Sequence, residues 1–366
     1  MTINLIVFLT LSCLYYVLLL AVYKGLGRLH LSGSCDHLPV ISVIIAARNE
    51  QDRILPCLQH LEKIDYPSDR LEIILVDDNS RDNTPLLSGE FCARHENWKL
   101  IRLSEKNIQP GGKKNALMHG IAKARGEIIF TTDADCMVPR LWLRNMVRYF
   151  TPQVAMVLGY SPLTPGPGFW NTILRFDNLF SAIATAAPAK FGYPFSSVGR
   201  NLAYRRINYD QVGGYQSLKK FRSGDDMHLT ERFRTSGSGL IDYCADPLTF
   251  VDTRPPATVR QIFHQQIRKN SKVLKATPAT VTFFILIFIY YLSIPWLPIS
   301  DPGSVAYWGI LLFLKLLLEW VCLMRAIRIF KQEALRGYLL LMQIIYPVFI
   351  IFFSLLGIFQ KYSWKN

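Results

Sequence analysis

Residues 71–80 read LEIILVDDNS, a short apolar run that leads directly into two acidic and two polar residues. A run of this length rich in Leu, Ile and Val is typical of a buried strand in a parallel sheet. Similar runs lie at residues 40–46, 127–131 and 155–159. Segments with helical apolar spacing alternate with them, at residues 51–64 and 113–125. This alternation predicts an α/β domain with a mostly parallel sheet and right-handed crossovers.

Ligands of such sheets bind beyond the carboxyl ends of the strands, so the residues found there are candidates for a site. Arg48 and Glu50 follow the first predicted strand, and Asp77 and Asp78 follow the second. Adjacent carboxylates at a strand end are costly unless they bind something. A carboxylate here can accept a hydrogen bond from a nucleobase or a ribose hydroxyl, and capping of the next helix is the alternative role.

Asp133 and Asp135 follow the third predicted strand. Carboxylates two residues apart in a turn can converge on one hard cation, and Mg²⁺ commonly takes one or two carboxylates together with substrate phosphates. A cation held there would offset the charge of a departing diphosphate. The alternative is a solvated Asp turn.

A Gly111-Gly112 pair precedes Lys113 and a predicted helix. It is not a Walker loop, because Asn107 stands where the first glycine would be and no Ser or Thr follows Lys113. Free backbone N–H groups at such a turn could still bind an anion, and Lys113 could reach the same diphosphate. A solvated basic helix start is the alternative.

Two further clusters lie later in the chain. In Gly224-Asp225-Asp226 a carboxylate could serve as general base toward a weakly acidic hydroxyl. Capping of the predicted helix at residues 227–234 is the alternative. Gln265 and Arg268 precede an apolar block and could clamp phosphate, unless they are only the basic flank of a membrane helix.

The apolar residues concentrate at the two ends of the chain, which is the pattern of a membrane protein. Residues 1–23 are predicted to form a transmembrane anchor, residues 24–253 the α/β domain and residues 254–276 an interfacial amphipathic segment. Residues 277–366 are predicted to hold about three spans, which correspond to the apolar stretches 276–300, 305–324 and 338–360. Within the middle span, Lys315 and Glu319 are four residues apart and can pair on one helix face.

The formal net charge of +14 is compatible with nucleic acid, anionic lipid or a phosphate-rich substrate. No nucleic-acid-binding signature is present in the sequence, so a nucleic-acid partner is not expected. Basic residues at 24–28 and 325–336 predict that the α/β domain is cytoplasmic, at a bacterial inner membrane. The seven scattered cysteines form no C-x-x-C pair and indicate a reducing compartment.

These motifs occur in a fixed order: Arg48-Asn49-Glu50, Val76-Asp77-Asp78-Asn79-Ser80, Gly112-Lys113-x-x-Ala116-Leu117, Asp133-Ala134-Asp135, Gly199-Arg200-Asn201-x-Ala203-Tyr204-Arg205, Gly224-Asp225-Asp226 and Gln265-Gln266-Ile267-Arg268. The series resembles the family-two glycosyltransferases of the GT-A fold over residues 40–271. The arrangement of anchor, domain and C-terminal spans also resembles ceramide glucosyltransferases, cellulose- and hyaluronan-synthase-like enzymes and bacterial cell-envelope transferases. The resemblance implies a Rossmann-like GT-A catalytic domain with transmembrane helices at both ends.

The resemblance also implies a role for each matching residue. Asp226 would be the catalytic base, and Asp133 and Asp135 would bind Mg²⁺ or Mn²⁺. Residues expected to contact the nucleotide-sugar donor are Ala47, Arg48, Glu50, Asp78, Lys113, Asp133, Gln265 and Arg268. Residues expected on the acceptor side are Asp225, Gly199 and Asn201. The family signature closes with Trp, but Lys269 stands there. A flexible ammonium lacks the stacking face that a growing sugar chain needs.

The expected reaction is therefore an inverting transfer of one sugar from a UDP- or GDP-sugar to a hydroxyl or phosphate of a lipid-like acceptor. Three rivals are weighed against it. A processive polysaccharide synthase would use the same chemistry. A catalytically inactive membrane scaffold would not need Asp133, Asp135 and Asp226. A nicotinamide-dependent reductase would need a G-x-G-x-x-G turn after the first strand, which the sequence lacks.

Overall fold

The computed structural model describes residues 2–29, 38–104, 112–218, 224–271 and 278–359. Asn107, Gly111, the end of the predicted interfacial segment and the ends of three predicted spans lie outside these residues. The described chain separates into two compact units. The sheet unit comprises residues 28–165 and 184–254, and the helical unit comprises residues 1–27, 166–183 and 255–366.

The strands, numbered in chain order, are β1 Ile41–Ala47, β2 Leu71–Asp77, β3 Trp98–Arg102, β4 Ile128–Asp133, β5 Cys136–Met137, β6 Val154–Gly159, β7 Leu202–Arg205, β8 Leu240–Cys244 and β9 Asp252–Thr253. The helices are α1 Ile3–Gly27, α2 Ile54–Glu62, α3 Thr84–Cys92, α4 Lys113–Lys123, α5 Trp142–Val147, α6 Phe169–Ala189, α7 Arg206–Gln211, α8 Asp225–Ser236, α9 Val259–Asn270, α10 Pro278–Ser300, α11 Val305–Ile329 and α12 Leu339–Phe359. The predicted strands and helices of the α/β domain are thus present, with ends shifted by a few residues.

The main sheet of the described residues has the order β3-β2-β1-β4-β7-β6-β8. Strands β3, β2, β1 and β4 pair in parallel, and β7 runs antiparallel between β4 and β6. In the parallel part, Ala47 pairs with Asp77, and Ala46 pairs with Asp133. The carboxyl ends of β1, β2 and β4 therefore lie at the same edge, which brings their acidic residues to one side of the sheet.

The core of the sheet unit is made by β-branched and Leu side chains on the central strands, which are buried on both faces. Gly120 lets α4 approach this core closely, because a Cβ at this position would lie 2.6 Å from Ile44 Cγ2. A larger residue there would push α4 outward. The close packing of α4 on the sheet therefore depends on the absence of a side chain at Gly120.

The helical unit contains the apolar helices. Two helices of the described residues are long and apolar enough to cross a membrane, Ile3–Gly27 and Glu333–Gly357, and a shorter apolar helix covers Phe284–Ser300. Helices α10, α11 and α12 lie where the C-terminal spans were predicted. The number of these helices that cross a membrane stays a prediction.

A buried carboxylate joins the helices of this unit. Glu319 accepts hydrogen bonds from Tyr15 (2.6 Å), Tyr291 (3.0 Å) and Gln343 (3.3 Å), and forms an ion pair with Lys315 at 3.0 Å. The donors belong to α1, α10, α12 and α11 itself. Since unpaired charges are costly in an apolar environment, this satisfied network specifies how the helices pack. The predicted pairing of Lys315 with Glu319 is confirmed.

Candidate active site

The loops that follow β1 and β2 brace each other. The Asn49 N–H donates to Ser80 Oγ at 3.0 Å, and the Arg81 N–H donates to Asn49 Oδ1 at 2.9 Å. Asn49 and Asn79 have φ values of 54° and 55°, a left-handed conformation that Asn tolerates better than most residues. These loops are therefore held in one conformation by their own polar side chains.

Asp78 lies in this braced region and is 4% exposed. Its N–H donates to the Ala47 carbonyl at 2.8 Å, and its carboxylate lies 3.6 Å from Arg48 Nη1. Burial raises the pKa of Asp78, Arg48 opposes this shift, and neighbouring Asp77 adds to it. The predicted donor residues Ala47, Arg48 and Asp78 are thus brought together, with a carboxylate that can accept from a nucleoside.

Glu50 and Asp135 share a cationic neighbour. Arg53 at the start of α2 lies 3.8 Å from the Glu50 carboxylate and 3.7 Å from the Asp135 carboxylate. The Glu50 N–H donates to Thr84 Oγ1 at 2.8 Å, which fixes the loop before α2. Arg53 was not predicted as a site residue, because its long-range pairing with Asp135 leaves no local sequence signal.

Asp133, Asp135 and Cys136 place one potential ligand atom each within 4.8 Å of one another. The two carboxylates are 31% and 27% exposed, so they are open to an incoming ion. Hard cations such as Mg²⁺ and Mn²⁺ prefer this oxygen chemistry, and the residues fit such an ion. Burial and the two carboxylates raise the pKa of the Cys136 thiol well above its usual range. The thiol is therefore neutral beside the oxygens.

Lys113 connects the acidic groups of the site. Its ammonium pairs directly with the Asp133 carboxylate. Burial by itself would lower the pKa of Lys113, but Asp133 and, at longer range, Asp226 raise it above its usual value. A permanent positive charge at this position suits the binding of a diphosphate.

The start of α8 carries the predicted base. Gly224 precedes it with a φ of 85°, in the left-handed region that Gly adopts without strain. Asp226 Oδ2 accepts a hydrogen bond from the Gly199 N–H at 3.0 Å, and Gly199 in turn accepts from Thr131 Oγ1 at 2.7 Å. The backbone at Gly199 therefore orients the Asp226 carboxylate, and Gly199 contributes to the site through its N–H.

The Asp225 carboxylate forms an ion pair with Lys114, a partner that the sequence did not reveal. Lys114 is 2% exposed, and its ammonium lies 2.9 Å from the Asp225 carboxylate and 2.9 Å from the Leu218 carbonyl. Burial raises the pKa of Asp225, while Lys114 opposes the shift and Asp226 adds to it. The sequence predicted a role for Lys113 alone, because a long-range pair between α4 and α8 has no local pattern.

Asn201 was expected on the acceptor side, but its side chain is entirely buried. It accepts from Trp142 Nε1 at 2.9 Å and donates to the carbonyls of Tyr160 (2.6 Å) and Thr249 (2.9 Å). With its amide engaged in this way, Asn201 is better described as a residue that ties β6, β7 and α5 together. At Asn201, the motif at residues 199–205 therefore stabilises the fold.

Gln265 and Arg268 lie on α9 in the helical unit, and both are half-buried. On the same helix, Lys269 Nζ donates to Asp177 Oδ2 and to Ser181 Oγ, each at 2.7 Å. The expectation of a flexible ammonium at position 269 is therefore wrong. The cause is Asp177 on α6, a partner 92 residues away in sequence.

Comparisons with known proteins give a family match and related sequences. Residues 42–210 match the model of the family "Glycosyl transferase family 2". A β-monoglucosyldiacylglycerol synthase of Synechocystis sp. is 38% identical over 196 residues, which is 53% of this chain and 40% of the relative. A probable glycosyltransferase of Bacillus subtilis is 33% identical over 204 residues, which is 55% of this chain and 48% of the relative. The chain thus spans less than half the length of either curated relative.

A solved structure resembles a larger part of the chain. A mannosyltransferase from Pyrobaculum calidifontis, determined in complex with GDP-Man and Mn²⁺, aligns with a TM-score of 0.60 and 20% sequence identity. The alignment covers 92% of this chain and 94% of that chain. At this identity the likeness concerns the fold, and it confirms the predicted GT-A-type α/β architecture.

Proposed function

We propose that the chain transfers a sugar from a UDP- or GDP-sugar to a hydroxyl or phosphate of a membrane lipid-like acceptor, because residues 42–210 match the model of the family "Glycosyl transferase family 2". The observation that supports this proposal most is that four carboxylates and one ammonium lie in the same part of the sheet unit: Asp78, Asp133, Asp135, Asp226 and Lys113. The register of β1 with β2 and β4 brings the first three to one edge. Lys113 is within electrostatic range of both Asp133 and Asp226.

The proposed reaction is an inverting displacement. Asp226, oriented by the Gly199 N–H, accepts the proton of the acceptor hydroxyl. The acceptor oxygen then forms its bond to the anomeric carbon while the bond from that carbon to the diphosphate oxygen breaks. Asp133 and Asp135 would hold Mg²⁺ or Mn²⁺, which supplies positive charge to the departing diphosphate.

Other residues position the donor. Asp78 accepts from the nucleoside, with Arg48 beside it to limit the cost of burying the charge. Lys113 exchanges part of its interaction with Asp133 for the diphosphate. A phosphate-binding role for Gln265 and Arg268, which lie on α9 of the helical unit, stays a prediction. Most of the rate enhancement then comes from positioning and electrostatics.

The acceptor class rests on two supports. The Synechocystis relative is named as a synthase of a glucosyldiacylglycerol. The described chain also contains apolar helices long enough to cross a membrane. We place the protein in a bacterial inner membrane with the sheet unit in the cytoplasm, since Lys24, Arg28 and the basic residues 325–336 mark that side.

Labelled nucleotide sugars test the proposal. The purified chain in lipid nanodiscs is incubated with a panel of UDP- and GDP-sugars, Mn²⁺ and lipid acceptors, and the lipids are extracted and separated. One lipid-soluble adduct with one donor is expected. A water-soluble polymer would support the processive alternative, and no transfer with any donor, while an established lipid glycosyltransferase is active in parallel, would refute the proposal.

A further inference from the structure

Lys114 on α4 is a buried cation that the proposed reaction does not use, and it is 2% exposed. Its ammonium lies 2.9 Å from Asp225 Oδ1 at the start of α8. It also donates, at 2.9 Å, to the carbonyl of Leu218, which ends a 3₁₀ helix. These two acceptors offset the cost of removing the ammonium from water. All three residues belong to the sheet unit.

The first turn of α8 is held by contacts from outside the helix. Gly224 precedes this turn and provides no side-chain cap. The next residue, Asp225, is tied to Lys114 on α4. The one after it, Asp226, accepts from the Gly199 N–H at 3.0 Å. Because successive helical residues are rotated by about 100° about the axis, these two anchors act in different directions and together fix the turn.

The Asp226 side chain lies close against the backbone at Gly199. A Cβ atom at Gly199 would lie 3.4 Å from Asp226 Cβ and 3.7 Å from Asp226 Oδ2. The Asp226 carbonyl accepts a hydrogen bond from Thr230 Oγ1 at 3.0 Å. A shift of the first turn would therefore change the hydrogen bond from Gly199, and with it the direction in which the carboxylate points.

The ion pair also reduces a repulsion at the start of α8. Asp225 and Asp226 are adjacent in sequence, and like charges so close together repel each other. Lys114 gives Asp225 a counter-charge on the α4 side. The Asp226 carboxylate can then stay ionised beside Asp225 without moving away from Gly199.

We propose that Lys114 is a positioning residue, which orients Asp226 by holding Asp225 and the first turn of α8. This inference rests on the proposed function, because Asp226 is the base of that reaction. Lys114 acts through α8 and contacts neither donor nor acceptor. A buried ion pair often gives no more stability than apolar side chains of similar volume, so its main effect is expected in the direction of the base.

Lys114→Met tests the inference in the full chain, because it removes the ammonium and nearly keeps the length of the side chain. A misplacement of about 1 Å can cost about 100-fold, so single-turnover transfer at saturating donor and acceptor should fall about 10–100-fold. The Kd of the donor, measured by calorimetry, should stay at the wild-type value. Lys123→Met, at an exposed position on the same helix, is the matched control and should change neither quantity.

The same substitution in an Asp226→Asn background separates positioning from other roles. Asn accepts no proton, so a residue that acts only through the base has nothing left to orient, and the two effects should not add. Lys114→Met/Asp226→Asn should therefore transfer sugar at the rate of Asp226→Asn alone. A further loss of about tenfold in the double variant would show that Lys114 acts by another route and would overturn the inference.

A second double variant separates positioning from stability. Lys114→Met leaves the Asp225 carboxylate buried without its cation and should lower Tm, and adding Asp225→Asn should recover part of that loss. Transfer should stay low in Lys114→Met/Asp225→Asn, because the link from α4 to α8 is still absent. Transfer that recovers together with Tm would show a role in stability only and would overturn the inference. If Lys114→Met does not fold, this double variant carries the same test.

Failure of the inference differs from failure of the proposed function. A wild-type transfer rate in Lys114→Met would overturn the inference and leave the proposed function in place. A wild-type chain that transfers no sugar from any donor would overturn the proposed function itself.

Discussion

The carboxylates of the two units differ in what surrounds them. In the helical unit, Glu319 and Asp177 are each enclosed by hydroxyl, amide and ammonium donors. In the sheet unit, Asp133 and Asp135 lie close to each other and are about a third exposed. A carboxylate whose acceptor sites are occupied holds helices together. A pair of partly open carboxylates has acceptor sites left for a ligand, and repulsion between them falls when a cation binds.

Asp226→Asn should have the largest effect, because it removes a proton acceptor while keeping size and the hydrogen bond from Gly199. General-base catalysis contributes about 10²–10⁴-fold, so transfer should fall by that factor with donor binding preserved. Single-turnover kinetics with the labelled donor measure it. Asp210→Asn, at an exposed position on α7, is the matched control. Transfer at the parent rate would remove Asp226 from the mechanism.

Asp135→Asn tests whether the partly exposed carboxylates of Asp133 and Asp135 bind a metal ion. Loss of a charged ligand should weaken Mn²⁺ binding by about 100-fold, since even residues behind metal ligands are worth about 10–100-fold. Electron paramagnetic resonance titration of Mn²⁺ gives the affinity without any turnover. Asp52→Asn, an exposed position in the same unit, should leave it unchanged. Equal Mn²⁺ affinity in both variants would place the metal elsewhere.

Glu319→Gln tests the structural role of a carboxylate that is enclosed by hydrogen-bond donors. It leaves Lys315, which is 2% exposed, without its counter-charge, and the unfolding free energy should fall by about 3 kcal/mol. Chemical unfolding in detergent, followed by tryptophan fluorescence, measures the change. The double variant Glu319→Gln/Lys315→Met should lose less. A donor affinity that fell in parallel in natively folded protein would contradict the purely structural role assigned to Glu319.

Substitutions of Asp78 and Asp82, which lie in the same loop, should have the smallest effects. They should change Tm in opposite directions. Burial raises the pKa of Asp78 above its ordinary 3.8, so its ionisation costs stability as the pH rises through that raised pKa. Asp78→Asn should therefore raise Tm at neutral pH, and the gain should vanish below pH 3.8.

Asp82 behaves in the opposite way. Burial slightly favours its neutral form, but hydrogen bonds from Thr84 and Gln51 outweigh this and lower its pKa. It contributes stability above its ordinary pKa that is lost as the pH falls through the lowered value. Asp82→Asn should lower Tm at neutral pH and lose its effect in acid. Thermal melts of both variants between pH 3 and 8 check the signs, and equal signs would contradict the difference in environment.

Local patterns predicted much of the sheet unit. The apolar runs before Asp78 and Asp133 gave β2 and β4, because buried parallel strands are continuous apolar segments. The acidic residues then followed from the rule that ligands bind at the carboxyl edge. The antiparallel insertion of β7 was not predicted, since pairing between strands far apart in sequence leaves no periodic signal.

Side-chain partners were harder to predict than elements. Lys114 with Asp225 and Lys269 with Asp177 are joined across about a hundred residues. Their partners could be chosen only once the fold was known. Lys315 with Glu319 was predicted because helical spacing alone brings the two together. The same limit explains Asn201, whose hydrogen bonds to Tyr160 and Thr249 turned an expected contact residue into a structural one.

The hydrogen bond from Tyr15 to Glu319 has a consequence for biosynthesis. The two residues are 304 positions apart, so at about 5–20 residues per second Glu319 is made roughly 15–60 s after Tyr15. Throughout that delay α1 is present in the cell without the acceptor of its tyrosine. Helix α1 must therefore stay accessible until translation is nearly complete. A ribosome that stalls between residues 300 and 318 would leave Tyr15 without Glu319.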